Sequence, residues 1–290
     1  MSSQKRAVAI HDLSCVGKCS LTVALPILSA AGIECSVLPT AILSTHTGGF
    51  TDYTFLDLTD EMLPIVDHWQ KESLQVDALY SGYVGSNAQF PIIQQIFQRL
   101  RQENTLILVD PVMGDNGCYY SGFSDKTADG MRQLCKIADI LVPNMTEAAF
   151  LIGESYREGP YDEAYLKHLL VELCRLGPRK VVLTGIYAQA DQLGAACMDA
   201  TDEQISWVLS ERMPGMYHGT GDIFASALLA AVMNELELTK AVRIAVDYVL
   251  DCIRNTDPQQ EPRYGVNFEE GLANLGYKIW RMRHGNNRRE

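Results

Sequence analysis

The residues best suited to chemistry form the run Gly219-Thr220-Gly221-Asp222, which precedes the apolar segment Ile223–Met233. Glycines at a helix start let the backbone approach a ligand closely, and the free amides of the first turn can surround an anion. Asp222 adds a carboxylate beside that anion site. Transfer of a phosphoryl group to a hydroxyl needs such a base next to charge-offsetting amides. The structural alternative is that Asp222 only stabilises the helix dipole.

Two further segments carry carboxylate or amide side chains. Asp110 and Asp115 follow one apolar strand, where they could hold Mg²⁺ through water or order a phosphate network. Asp-Pro and Gly-Asp pairs are equally common in turns. Asn144 and Glu147 share one face at a predicted helix start and could coordinate a metal–phosphate assembly. Taken alone, their spacing more often indicates an Asn N-cap with a capping-box acid.

The segment Val16-Gly17-Lys18-Cys19 is similar to the end of a phosphate-binding P-loop. That motif also needs an earlier glycine, where this chain has Asp12, and a hydroxyl residue after the lysine, where it has Cys19. No GxGxxG run follows the first strand either. Both glycine-rich nucleotide motifs are therefore excluded.

The elements that must position these residues alternate between apolar strands and helices. Strands are predicted at Ala7–Ile10, Glu34–Leu38, Ala78–Tyr80, Leu106–Val109, Ile137–Val142 and Lys180–Leu183. Helices are predicted at Cys19–Ala31, Asp60–Glu72 and Phe90–Arg101, and again after Gly219. Fully apolar strands between helices indicate an α/β protein with a mostly parallel sheet covered on both faces.

In such sheets, ligands bind at the carboxyl ends of the strands. Asp12, Asp110, Asn144 and Thr184 lie at those ends, where a purely structural loop has little need of polar residues. The segment Leu193–Leu209 alternates between apolar and polar residues, which predicts an antiparallel hairpin at the sheet edge.

Composition narrows the function classes further. The 290 residues include 24 Lys and Arg against 36 Asp and Glu, a net charge of −12. An acidic surface repels nucleic acid and anionic membranes, so neither is an expected partner. No apolar run reaches the ~18 residues that a membrane span requires. The eight scattered cysteines form no CxxC pair, which is typical of reduced thiols in a cytoplasmic protein. We expect a single domain over residues 1–290, with 284–290 as a frayed tail.

Taken in order along the chain, these motifs resemble those of the ribokinase superfamily and, within it, of the pyridoxal (vitamin B6) kinases. The matching segments are Ser81–Ser86, Asp110–Asp115, Pro143–Glu147 and Gly219–Asp222, and Ser44–Thr47 also points to the B6 branch. The resemblance implies a three-layer α/β/α fold with a mostly parallel central sheet. It also implies ATP and a B6 vitamer as substrates, Mg²⁺ as a cofactor, K⁺ as a possible monovalent cation, and a homodimer.

The resemblance also implies a role for individual residues. Asp222 corresponds to the catalytic base, and Gly219, Thr220 and Gly221 correspond to the anion hole. The residues that match the family's ATP site are Asp115, Asn144, Thr184 and Gly185. Those that match its metal site are Asp110 and Glu147. Those that match its substrate pocket are Asp12, Thr47 and Tyr83.

Asp12 and Asp222 separate this chain from some relatives. Many pyridoxal kinases have a serine facing the pyridine ring at the position of Asp12, and a carboxylate there can pair with a protonated ring nitrogen. Hydroxymethylpyrimidine kinases commonly have Cys at the position of Asp222, which favours the B6 branch. A hydroxymethylpyrimidine kinase or a dual-substrate kinase is the alternative. A non-catalytic nucleotide or vitamin sensor is disfavoured, because a sensor has no use for a base.

Overall fold

A mixed nine-stranded sheet forms the centre of the computed structural model, which describes residues 4–285. The strands, in chain order, are β1 (Arg6–Ser14), β2 (Glu34–Leu43), β3 (Phe55–Asp57), β4 (Ala78–Ser81), β5 (Leu106–Val109), β6 (Gly114–Asp115), β7 (Cys118–Tyr119), β8 (Ile140–Leu141), β9 (Lys180–Ile186), β10 (Gln192–Asp199) and β11 (Ile205–Glu211). β6 and β7 pair with each other in a separate hairpin.

Helices cover both faces of the sheet. They are α1 (Leu21–Ala30), α2 (Thr59–Lys71), α3 (Gln89–Leu100), α4 (Asp125–Cys135), α5 (Met145–Ile152), α6 (Glu163–Arg175), α7 (Thr220–Met233), α8 (Leu238–Arg254) and α9 (Leu272–His284), with 3-10 turns at Pro262–Tyr264 and Glu269–Gly271. Within residues 4–285, none of the helices is both long and apolar enough to cross a membrane.

The order across the sheet is β11-β10-β9-β8-β5-β4-β1-β2-β3. The central strands from β9 to β2 are parallel, which places their carboxyl ends along one edge. β3 and β10 pair antiparallel with their neighbours, and β10 continues into β11 at the edge. The hairpin predicted at Leu193–Leu209 is therefore confirmed.

Alternate residues of each central strand point into two separate cores. In β1, Ala7 and Ala9 join the core formed with α1, α7, α8 and α9, whereas Val8 and Ile10 join the core formed with α2 to α6. A sheet buried on both faces explains why the strands are apolar throughout rather than alternating. The predicted three-layer α/β/α fold is confirmed.

The predicted end of the first strand at Ile10 is wrong. β1 continues to Ser14, because Leu13 and Ser14 still pair with Ile42 and Leu43 of β2 after pairing with β4 has stopped at Ile10. Asp12 therefore lies inside β1, at a shift in register, where the strand has lost its neighbour on one side.

At the other end of the chain, α9 includes His284, the first residue of the segment predicted to fray. Residues 286–290 of that segment lie outside the described residues.

Candidate active site

The start of α7 has glycine at positions 219 and 221 for two different structural reasons. Gly219 has φ +78°, and a Cβ there would lie 2.0 Å from the carbonyl oxygen of Lys18, so only glycine fits. A Cβ on Gly221 would meet no atom within 4 Å. Among the described residues no side chain caps this helix, so no side chain competes with a ligand for its first-turn amides. Such a helix start can bind an anion through its backbone amides.

Asp222 lies in the first turn of α7 and is half-buried. Burial raises the pKa of Asp222 to about 7, a hydrogen bond from the backbone of Ser20 opposes that rise, and the negative charge of Asp12 adds to it. A carboxyl group with a pKa close to neutral can hold or release a proton under working conditions, which suits a general base.

Asp12 faces the same region from β1. Its side chain is 4% exposed, and the hydroxyl of Ser14 donates a hydrogen bond to Asp12 Oδ2 at 2.7 Å. Burial raises the pKa of Asp12, and hydrogen bonds from Ser20 and Ser14 act in the opposite direction. The pKa of Tyr83 is raised to about 12, mainly by burial and then by the charge of Asp12. Asp12 and Tyr83 are therefore close enough to interact electrostatically.

Thr47 is exposed in the segment after β2. The neighbouring residue His46 packs its ring 5.6 Å from the ring of His218, the residue immediately before Gly219. The ring of Phe50 lies 5.0 Å from His46 on the same segment. The Thr47 segment is thus fixed beside the start of α7, although the Thr47 side chain itself makes no hydrogen bond among those described between residues 4 and 285.

Asn144 and Glu147 form the capping box that their spacing also allowed. Asn144 Oδ1 accepts hydrogen bonds from the amides of Thr146 and Glu147, both at 2.9 Å. Glu147 Oε2 accepts from the amide of Asn144 at 2.9 Å, and Oε1 accepts from the amide of Met113 at 3.0 Å. Both carboxylate oxygens are therefore bound to backbone, and Glu147 ties α5 to the segment that follows β5.

Asp110 follows β5, is 6% exposed and lies within electrostatic reach of Glu147. Burial raises the pKa of Asp110 well above its ordinary value, and the charges of Glu147 and Asp222 raise it further. Burial also raises the pKa of Glu147. Residues 4–285 contain no cluster of three or more His, Cys, Asp or Glu side chains that could hold a metal unaided. A Mg²⁺ ion that arrives with nucleotide phosphates still fits, because it needs only one or two carboxylates and relieves their repulsion.

Asp115 ends β6 on the rim of this region and is exposed. The following residues, Asn116 and Gly117, have φ +50° and +76° and form the two-residue turn between β6 and β7. The amide of Gly117 donates to Thr146 Oγ1 at 2.9 Å, which anchors the hairpin to α5. An Asn-Gly pair is a sequence signal for a hairpin, although none was predicted here.

Tyr120 follows that hairpin and was also missed. Burial raises the pKa of Tyr120 above its ordinary range, and the charges of Glu147, Asp115, Asp110 and Asp222 raise it further. Its phenol thus lies within the electrostatic reach of these carboxylates. No local pattern identifies such a residue, because the carboxylates come from three separate segments.

Thr184 and Gly185 lie in β9 beside the start of α5. Thr184 forms a parallel bridge with Asn144, and its amide donates to the carbonyl oxygen of Pro143 at 2.9 Å. Gly185 has φ +74°, is exposed, and leaves open space where a Cβ would be. Asn144, Thr184 and Gly185 therefore meet at the carboxyl edge of the sheet, as predicted from the strand ends.

Electrostatic interactions connect Asp222 with Asp12 and with Asp110, and they also connect Asp12 with Tyr83 and Asp110 with Glu147. The candidate site therefore brings together carboxylates from β1, from the residue after β5, from α5 and from the start of α7.

Several known proteins resemble this chain in sequence and in fold. The model of the phosphomethylpyrimidine kinase family matches residues 26–267. A protein from Bacteroides thetaiotaomicron, described as a phosphomethylpyrimidine kinase and crystallised with pyridoxal, is 36% identical, with 94% of this chain and 96% of that chain covered and a TM-score of 0.90. A pyridoxal kinase from Lactobacillus plantarum is 32% identical, with coverage of 98% and 99% and a TM-score of 0.86.

Among curated proteins, a pyridoxal kinase of Leifsonia xyli is 26% identical over 238 residues, which cover 79% of this chain and 81% of that protein. The family model spans most of the sequence, and the structural likeness extends over nearly all of it. The chain therefore belongs to the phosphomethylpyrimidine kinase family, within the ribokinase superfamily, and it is a kinase.

Proposed function

We propose that this kinase transfers the γ-phosphoryl group of ATP to the 5′-hydroxymethyl group of the B6 vitamers pyridoxal, pyridoxine and pyridoxamine. The observation that carries the proposal is Asp222, a carboxylate with a pKa raised to about 7 beside a helix start that no described side chain caps. The pyridoxal bound to the Bacteroides relative supports the choice of substrate.

In this mechanism, Asp222 accepts the proton of the substrate hydroxyl and orients its oxygen for attack. The amides at Gly219, Thr220 and Gly221 stabilise the charge that develops on the transferred phosphoryl group. Asp12 and Tyr83 hold the ring, and the exposed Thr47 borders the pocket.

On the nucleotide side, Thr184 and Gly185 would lie against the ATP phosphates, and Asn144 and Asp115 would border them. Mg²⁺, when bound, would neutralise phosphate charge, and Asp110 is the carboxylate best placed to hold it, directly or through water. Glu147 would support the site rather than hold the metal, since both of its oxygens accept hydrogen bonds from backbone amides. A K⁺ requirement, a homodimer and a cytoplasmic location remain predictions of the family resemblance.

A substrate panel with Mg-ATP tests the proposal. We expect phosphorylation of the three B6 vitamers, with kcat/KM for the best of them above that for hydroxymethylpyrimidine. The product with each vitamer should be the 5′-phosphate, identified by mass spectrometry and phosphorus NMR. Absence of vitamer-dependent ATP consumption would exclude this function and leave a non-catalytic sensor.

Hydroxymethylpyrimidine kinase is the second candidate, because the matching family model carries a phosphomethylpyrimidine kinase description. It would be favoured by a higher kcat/KM for hydroxymethylpyrimidine than for every B6 vitamer. Comparable values for both classes of substrate would instead indicate a dual-substrate kinase.

A further inference from the structure

His218 directly precedes the glycines at the start of α7, yet its side chain packs on a different segment, the backbone that follows Thr47. A Cβ on Gly48 would lie 2.9 Å from His218 Nδ1 and 3.1 Å from its Cε1. A Cβ on Gly49 would lie 3.9 Å from His218 Nε2. The half-buried imidazole therefore occupies the space that a side chain at position 48 would need, and it borders position 49.

The main chain of His218, in contrast, is packed among the residues around the start of α7. A Cβ on the next residue, Gly219, would lie 2.0 Å from the carbonyl oxygen of Lys18. A Cβ on Gly265 would lie 2.9 Å from Lys18 Cβ and 3.5 Å from the carbonyl oxygen of His218. Lys18 is itself held by Asn267, whose Oδ1 lies 2.8 Å from Lys18 Nζ. One residue thus has its backbone on the α7 side and its ring on the other segment.

The Thr47 segment also meets His218 through the ring of His46, which is 7% exposed. The two ring centroids are 5.6 Å apart, and the ring planes are tilted by 40°. His46 Nδ1 accepts from the amide of Gly48 at 3.0 Å, and Nε2 donates to the carbonyl oxygen of Arg263 at 2.6 Å. Since both nitrogens of His46 are occupied, its contact with His218 is one of ring packing.

The imidazole nitrogens of His218 take part in none of the hydrogen bonds described for residues 4–285. Burial lowers the pKa of His218, and the neighbouring His46 lowers it further, so the ring is neutral above pH 7. Neither an ion pair nor a hydrogen bond accounts for a histidine here. What the ring provides is the surface that it packs on His46 and on the backbone of Gly48.

We propose that His218 is a positioning residue, whose ring couples the Thr47 segment to the anion-binding start of α7. The inference rests on the proposed function, which assigns the vitamer to the first of these and the transferred phosphoryl group to the second. A ligand that orders one segment then orders the other through the ring. The hydroxyl and the phosphoryl group are thereby aligned, and a misplacement of about 1 Å can cost about 100-fold in rate.

Two substitutions separate the packing of the His218 ring from its chemistry. His218→Ala removes the ring, whereas His218→Phe keeps an aromatic ring without nitrogen atoms. We expect His218→Ala to lower kcat with Mg-ATP and pyridoxine by at least about tenfold, within the cost of a misaligned pair of reactants. His218→Phe should retain most of the turnover. His68→Ala, at a histidine of α2 whose side chain is 71% exposed, is the control and should leave kcat unchanged.

Calorimetry measures the coupling itself, which a merely structural role of His218 would not affect. The affinity for pyridoxine is determined with and without a non-hydrolysable analogue of Mg-ATP. In the wild type, the analogue should tighten pyridoxine binding by at least about fivefold, the lower end of typical coupling between sites. Pyridoxine should tighten binding of the analogue by the same factor, because coupling is reciprocal. His218→Ala should reduce this factor to near one, whereas His218→Phe should keep it.

Gly48→Ala approaches the same contact from the opposite side. The added methyl group would lie 2.9 Å from His218 Nδ1, so it should displace the ring and weaken the coupling. Combined with His218→Ala, it should have little further effect, because the ring that it displaces is gone. Additive losses of turnover in the double variant would contradict the inference.

An equal coupling factor in the wild type and in His218→Ala would overturn the inference while leaving the kinase function intact. An equal loss in His218→Phe and His218→Ala would also overturn it, since a ring nitrogen would then be the group that matters. If the wild type phosphorylates no B6 vitamer, the proposed function fails, and amide hydrogen exchange decides the inference. Mg-ATP should slow exchange over residues 44–50 in the wild type and in His218→Phe but not in His218→Ala. Identical exchange in all three proteins would reject the coupling.

Discussion

The surroundings of Asp222 fit a general base better than an acid that only stabilises the helix. An acid that only stabilises a helix dipole is solvated, and its pKa stays low. Here burial and the neighbouring Asp12 raise the pKa of Asp222 to about 7. Ionised Asp222 is therefore unfavourable for the folded protein, a cost that makes sense at a functional site.

Asp222→Asn should lower kcat by at least ~100-fold, the lower range for loss of a general base. The folded state should be at least as stable as the wild type at pH 8, because the variant no longer buries a charge. Turnover and the thermal unfolding midpoint measure the two effects. Glu270→Gln, at an exposed acid, is the matched control and should change neither. Retention of more than about a tenth of wild-type turnover by Asp222→Asn would contradict the assignment.

The pH dependence of kcat/KM follows from the same carboxyl group. Asp222 must be ionised to accept a proton, so activity should fall as the pH falls through about 7, the pKa of the group in the free protein. An acid limb close to pH 4, the range of an ordinary aspartate, would show that a different group controls the rate.

At the scale of elements, the start of α7 is built by two glycines with separate tasks. Gly219 makes room for the backbone of Lys18, whereas Gly221 leaves space that no atom of residues 4–285 would fill within 4 Å of a Cβ. The hairpin β6–β7 carries Asp115 and is anchored to α5 through the hydrogen bond from the Gly117 amide to Thr146. The site is thus assembled from a helix start, a hairpin and strand ends.

Gly219→Ala and Gly221→Ala separate folding from ligand space. Gly219→Ala should destabilise the protein by about 2 kcal/mol or more, because it combines a positive φ with a backbone clash. Gly221→Ala should leave the unfolding midpoint unchanged or slightly higher, since alanine favours a helix. It should nevertheless lower kcat by at least about tenfold, because the added methyl group enters the anion site. Normal turnover in Gly221→Ala would mean that phosphate does not bind there.

At the scale of the whole molecule, the parallel strands gather the site along one edge while two cores hold the helices in place. Because the net charge of −12 would repel ATP, we expect binding to depend on local amides and on a metal ion. Asp110 and Glu147 add two acidic groups to the site, so we expect nucleotide binding to depend on Mg²⁺.

Mg-ATP should therefore stabilise the protein by mass action, by about 2.7 kcal/mol at a concentration of 100 times Kd. ATP with excess chelator should stabilise it much less. Thermal unfolding with Mg-ATP, with ATP plus chelator, and with Mg²⁺ alone measures this difference. Equal stabilisation by ATP with and without Mg²⁺ would contradict a metal role for Asp110.

The sequence by itself determined the α/β class, the mostly parallel sheet, the edge hairpin and the set of candidate residues. These depend on local apolar patterns and on the rule that parallel strands end at one edge. The sequence could not show whether Glu147 is a helix-capping residue or a metal ligand, because the same spacing from Asn144 suits both roles. The structure shows the cap contacts, with each carboxylate oxygen on a backbone amide.

Only the tertiary structure brought Asp12 within electrostatic reach of Asp222, and only it placed Tyr120 within the reach of the carboxylates. It also moved Asp12 from the end of β1 to its interior. The reason is physical. A raised pKa or an unfilled space depends on what packing removes from water and on which distant segments meet, and neither quantity is encoded in the spacing of neighbouring residues.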